Sequence, residues 1–284
     1  MQGQIIKRVA LGGTPPLGRF WNLHRDEPVS AVEVWSQEEI KKKGLFLGKT
    51  SYFPEKDAVS FESAATHYKI ALDESASDSM SNFDLDISLK ASFLGGLVNV
   101  SGSANYLNNK RASSSQERVT FQYTTHVGTA ELPTHVAPET DHVKQLDAAV
   151  AQGATHVVSK LYYGCRCVLS FEHSKSDAQN EQKIGGTLKV LVKSIPTLEI
   201  DAQGTVKIEG DDKTLSDKTT VSLECDIAYQ GAISSFTQAM QFVQKFDIFS
   251  KNATSVLYYD LIPLTAYSQP LGSPLAFPRT FSRA

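Results

Sequence analysis

Residues 84–106 read DLDISLKASFLGGLVNVSGSANY, and they alternate apolar and polar side chains on both sides of Gly95-Gly96. Leu85, Ile87, Leu89, Ala91 and Phe93 share one parity, with Asp84, Asp86, Ser88, Lys90 and Ser92 between them. After the glycines, Val98, Val100, Gly102, Ala104 and Tyr106 alternate with Asn99, Ser101, Ser103 and Asn105. Successive side chains of a strand point to opposite faces, so each arm carries one greasy and one wet surface. Each arm has about the 9–11 residues that a tilted strand needs to cross a bilayer. A sheet with one face on a protein core would show the same alternation, and the segment alone leaves both readings open.

A second segment repeats the pattern. Residues 187–209 read TLKVLVKSIPTLEIDAQGTVKIE, where Leu188, Val190 and Val192 face Lys189 and Lys193 across the first arm. After the turn Ser194-Ile195-Pro196-Thr197, Ile200, Ala202, Gly204, Val206 and Ile208 alternate with Asp201, Gln203, Thr205, Lys207 and Glu209. Leu191 breaks the alternation. Gly102 and Gly204 on the greasy parity, and the charges between, dilute the apolar content enough for the monomer to stay in water.

The 284 residues are 41% hydrophobic and 21% charged with a formal charge of −3, which fits a globular protein with a substantial core and excludes a strongly basic nucleic-acid binder. The basic run Lys41-Lys42-Lys43 follows Ser36-Gln37-Glu38-Glu39, a capping-box pattern, and reads as a helix end. No apolar run approaches a transmembrane helix. The start, MQGQIIKRVALGG, lacks a charged region followed by a long apolar run, so cytosolic synthesis without a signal peptide is the expectation, or release by a non-classical route. Cys165, Cys167 and Cys225 are expected to be buried free thiols, with Cys165 and Cys167 on one face of a strand. The seven histidines are scattered, and Gly12-Gly13 and Gly95-Gly96 lack the lysine and hydroxyl of a phosphate loop. No enzyme, metal site or cofactor is expected.

Along the chain, Val119–Thr125 alternates as a strand, residues 139–152 have helical spacing with Val143, Leu146, Ala149 and Val150 on one face, and ATHVVSKLYYGCRCVLSFEHS is strongly strand-like. Residues 56–79 suggest a strand pair with a flexible Ser/Asp/Ala tail. Residues 234–246 predict an amphipathic helix with Phe236, Met240, Val243 and Phe246 inward, and Ser255–Tyr259 a last strand. Four long strands follow, at about 62–72, 119–127, 155–172 and 218–229, with the two alternating segments inserted between the first and second and between the third and fourth.

These residues resemble a known family. SLKASFLGGLVNVSGSANYLNN, RVTFQYTT, ATHVVSKLYYG, GGTLKVLVKSIPTLEI and, more weakly, ALGGTPPLGRFWNLHRDE resemble the N-terminal perforin-like domain of the stonustoxin group, within the MACPF and cholesterol-dependent cytolysin superfamily. The resemblance spans about residues 8–264 and implies an α+β domain over 1–264 with a Pro/Ser-rich tail over 265–284. It further implies a bent, twisted four-stranded antiparallel sheet flanked by two helical clusters, at 78–110 and 184–212, that unfurl into transmembrane hairpins after oligomerisation.

On that reading the chain is a pore-forming cytolysin-like protein whose partners are a lipid bilayer and further copies of itself or a companion subunit. A non-lytic perforin-like scaffold is the alternative. The first hairpin would place Leu85, Ile87, Leu89, Phe93, Gly95, Gly96, Val98 and Val100 in the membrane, and the second Leu188, Val190, Val192, Ile200, Val206 and Ile208. Asp86, Lys90, Asn99, Ser101, Lys189, Lys193 and Asp201 would line water. Asp placed at Leu89 or Val100 is expected to abolish lysis and spare folding. Of the superfamily signature around the sheet bend, Tyr163-Gly164 and Gly185-Gly186 survive, which assigns Gly164, Gly185 and Gly186 to that bend. Only Trp21 and Trp35 occur, so a Trp-rich sterol-recognising loop has no counterpart.

Overall fold

The computed structural model describes residues 5–13, 15–33, 65–72, 76–96, 98–109, 116–131, 140–174, 181–195, 211–229, 231–250, 253 and 255–265. The helix expected after Ser36 and the tail after Ala266 lie outside them. In chain order the elements are β1 (Ile6–Val9), β2 (Arg19–Asn22), β3 (Glu27–Glu33), β4 (Ala65–Leu72), α1 (Ala76–Asn82), α2 (Ile87–Leu94), a 3-10 turn (Gly102–Ala104) and α3 (Asn105–Asn109). Then come β5 (Gln116–Glu131), α4 (Thr140–Ala151), β6 (His156–Ser174), α5 (Glu181–Ser194), α6 (Asp211–Asp217), β7 (Thr219–Cys225), α7 (Phe236–Ser250) and β8 (Ser255–Pro263).

The antiparallel run β4, β5, β6, β7 forms the central sheet. β6 is its spine. One side of β6 pairs with β5 from Lys160 to Ser174 and with β2 at His156 and Val157. The other side pairs with β7 over Cys167–His173 and with β8 over His156–Gly164. β8 in turn carries β1, and β2 carries β3. The first 33 residues thus supply three strands.

β6 changes partner between Gly164 and Cys167, and the ladders on both its flanks shift register nearby, at His126/Gly128 and at Tyr162/Tyr163. Such bulges bend and twist the strand that carries them. A Cβ on Gly164 would lie 2.0 Å from the Thr125 carbonyl oxygen and 2.5 Å from Leu257 Cδ1, so only glycine allows the backbones this close.

Both faces of the central sheet are covered, which is why consecutive residues of β5 and β6 are buried. Cys167, Leu169 and Phe171 pack with α5 and α7, whereas Val168 packs with α1, α2 and α3, so the two helical clusters occupy opposite faces. A third core fills the far end with Phe20, Trp21, Val157, Leu161, Leu261 and, from α4, Leu146 and Ala149. α7 begins with a capping box: Gln238 Oε1 accepts from Ser235 N at 3.2 Å while Ser235 Oγ accepts from Gln238 N at 3.3 Å. Its stripe of Phe236, Met240, Val243 and Phe246 is buried as the spacing predicts.

Three expectations are corrected. Residues 76–79 are helical where a flexible tail was expected, because Met80 and Phe83 bury against the sheet. β7 ends at Cys225, where Asp226 turns back to bond Arg166. Cys167 and Cys225, opposite each other in the β6–β7 register, form a disulfide, leaving only Cys165 free.

Candidate membrane-inserting segments

The first alternating segment is folded as helix. Asp86 caps α2 by accepting from Leu89 N at 2.9 Å, and Gly95 and Gly96 close it. Helical spacing sends Leu89 and Phe93 into the core with Phe83 and Tyr106, and Leu85 joins them from the stretch before the cap. Ile87 points away and is 88% exposed. Val98 and Val100, in the stretch after the helix, are half-buried against the same core. The Asp-substitution expectation is corrected at Leu89: that side chain is buried, so a carboxylate there would unsettle the monomer itself.

The second segment repeats the arrangement in α5. Leu188, Leu191, Val192 and Ile195 are buried among Phe171, Phe236 and Phe246, and Val190 is 68% exposed. Leu191, which interrupts a strand pattern, completes the i, i+3, i+4 stripe of a helix. Ile200, Val206 and Ile208 lie outside the described residues. Gly185 and Gly186 fall in the first half of α5 and not in the sheet, which corrects their expected place at its bend.

The two periods explain the pattern. Residues i and i+4 share a face in a helix and in a strand, but residue i+2 shares it only in a strand. Leu89/Phe93 and Leu188/Val192 therefore satisfy both structures, while Ile87 and Val190, two positions from a buried partner, satisfy only the strand. Sequence reading grouped all six by parity and did not set Ile87 and Val190 apart. Comparing the two periodicities would have found them.

Polar side chains fasten the first cluster to the sheet. Buried Arg8 on β1 pairs with Asp86 and lies 3.6 Å from Asp26. The Tyr258 hydroxyl on β8 donates to Asp84 Oδ2 at 2.6 Å and accepts from Arg166 Nη2 at 2.8 Å. Burial pushes that phenol up to about 12, so it stays protonated and donates. Arg166 is fully buried, with its guanidinium 4.8 Å from the Phe83 ring centre. Asp226 accepts from Ser103 N and Arg166 N, each at 2.9 Å, and so holds the 3-10 turn against the end of β7. The Leu11 carbonyl accepts from Ser101 N at 2.9 Å beside Gly12, whose φ of +90° and contact with Ser101 exclude a side chain. Of these groups sequence reading marked only Asp86 and Ser101, as channel-lining residues. An Asp three residues before Leu89, which opens the Leu89/Phe93 pair, was the available cue for its capping role.

His126, stacked on Tyr258 at 5.9 Å, has its pKa lowered, first by burial and then by Lys7, His67 and Arg166. It stands with Lys7, Val9, Asp84 and Tyr258 around a cavity of about 290 Å³. No described helix is long and apolar enough to cross a membrane.

A two-faced, helix-covered antiparallel sheet with a bent spine is the perforin-like fold, and the solved structure of stonustoxin shares it: TM-score 0.64 and 23% identity, covering 95% of this chain and 33% of that one. In sequence the chain is 29% identical over 268 residues to cytolytic toxin-beta of Scorpaena plumieri, covering 94% of itself and 36% of the toxin. It is likewise 29% identical over 252 residues to stonustoxin subunit beta of Synanceia horrida, covering 86% and 34%. No family model matches. The chain is a homologue of the stonustoxin-type toxin subunits, and spans about a third of the length of the curated relatives it matches. These relatives are described as toxins or toxin subunits.

Proposed function

We propose that this chain is the membrane-inserting domain of a pore-forming cytolysin. It oligomerises, the described helices α2 and α5 unfold, and residues 84–106 and 187–209 form two amphipathic hairpins per subunit. The observation that carries this is the exposure of Ile87 and Val190, at 88% and 68%. Each is a β-branched residue that a water-facing helix position gains nothing from, and each joins its buried neighbours on the single apolar face of an extended strand.

On that strand Leu85, Ile87, Leu89, Val98 and Val100 meet lipid with Leu188, Val190, Val192, Ile200, Val206 and Ile208. Asp86, Lys90, Asn99, Ser101, Lys189, Lys193 and Asp201 face water. Closure into a barrel across subunits is required, because an open strand edge in lipid leaves backbone groups without partners. Gly164 gives the spine a point about which the sheet straightens. Relatives described as alpha and beta subunits favour a second reading, in which the chain acts with a companion subunit rather than alone.

The test is dye release from liposomes by Ile87→Asp and Val190→Asp. Both positions are exposed, so the soluble fold is expected to keep its circular dichroism and melting temperature while release falls at least tenfold. Release at the parent level by both variants sinks the lipid-facing assignment. If the parent releases dye only after a companion chain is added, the second reading holds.

A further inference from the structure

The hairpin reading uses none of the three cysteines, yet they meet. Cys165 and Cys167 are buried on one face of β6, and Cys225 lies across from Cys167 on β7. Cys165 Sγ is 3.7 Å from Cys167 Sγ and 3.9 Å from Cys225 Sγ, and all three sulfurs fall within 4.8 Å of one another. We infer that the cluster, once the Cys167–Cys225 disulfide is reduced, is a three-coordinate thiolate site for cuprous copper.

The ligand set selects the metal. Three sulfurs gather with no fourth His, Asp or Glu among the described residues, and a closed zinc site takes four ligands. Asp226 engages both carboxylate oxygens with the N–H groups of Ser103 and Arg166. Soft thiolates without nitrogen or oxygen partners favour the monovalent copper ion. Thiolates about 2.3 Å from a central ion in a trigonal plane stand about 4 Å apart, and the two distances from Cys165 already have that length. Only the Cys167–Cys225 side must open.

The surroundings suit the bound state. β7 pairs with no named strand but β6 among the described residues, so Cys225 can shift with it. Cys225 also borders a cleft of about 390 Å³ with Gly102, Tyr229 and Ile233, which gives an ion a way in. Two molecules of a small thiol reduce the disulfide to two thiols and leave as their own disulfide. The cuprous ion then binds all three sulfurs without changing oxidation state, and the displaced protons go to solvent.

The test is titration of the intact chain with cuprous ion under argon, against bicinchoninate as competing chelator, before and after treatment with a thiol reductant that is then removed. The reduced chain is expected to take about one ion and release about three protons. The untreated chain is expected to take none at that site. Cys225→Ser, at a half-buried position, and Cys165→Ser should each weaken binding at least tenfold while circular dichroism stays at the parent's. Equal binding by the reduced parent and a folded Cys225→Ser variant overturns the site, and equal uptake without reduction overturns its control by the disulfide.

Discussion

The two helical clusters cover opposite faces of one sheet and both bury an apolar core, but the first is fastened by polar contacts as well. The first is fastened by charge: Asp86 to Arg8, Asp84 to Tyr258 and Lys69, and the Ser103 N–H to Asp226. The second is seated by apolar packing, with Leu188, Leu191, Val192 and Ile195 among the phenylalanines of β6 and α7. Charge pairs weaken when a partner is neutralised or salt screens it, whereas apolar burial responds little to either.

Four changes break or sharpen this contrast. The largest effect is expected in the second cluster, where Leu188→Ala empties a fully buried site and costs about 2–5 kcal/mol in urea unfolding. Val190→Ala, two residues away and exposed, should stay within about 0.5 kcal/mol. Similar losses at both would refute the helical facing of α5. In the first cluster, Arg8→Met leaves the buried Asp26 and the cap Asp86 without their cation and is expected to cost about 3 kcal/mol. A change in rate of cluster opening by hydrogen exchange should accompany it at residues 84–94, and its absence there would show that Arg8 serves only the core.

Tyr258→Phe removes one hydroxyl that joins Asp84 to Arg166 and should cost about 1–2 kcal/mol, read from the same unfolding curves. The smallest effect is that of pH. His126 and His156 both titrate below their ordinary 6.5 in the folded chain, each chiefly through burial. The unfolded chain thus binds protons first as pH falls, so stability is constant above about 6.5 and declines below it toward the lowered folded values. Thermal melts at pH 7.5 and 5.5 should show the drop, and His126→Phe should shrink it. An unchanged slope in that variant would place the sensitivity elsewhere.

Much of the central sheet was legible because its strands alternate over many residues: the spine was read at 155–172 and found at His156–Ser174. The insertion points of the clusters were legible as well. Their helical state came only through family resemblance, since the period-2 pattern at 84–93 argues for strand. The turn of Ile87 away from Leu89 follows from the helical period once the segment is known to be helix, and that helical state, like the cross-strand meeting of Cys167 and Cys225, could not be read from spacing. Both depend on contacts between residues far apart in the chain, and the disulfide on a partner 58 positions away.

The sequence by itself determined that residues 84–106 and 187–209 have one apolar side when extended, and that four long strands frame them. Alternation is a local property, and it survives whatever the rest of the chain does. Only the tertiary structure decided that Leu85, Leu89, Leu188 and Val192 are buried while Ile87 and Val190 face water. That choice is made by packing against Phe83, Tyr106, Phe171 and Phe236, because burial in an existing core outweighs the small free energy by which a short segment prefers strand over helix.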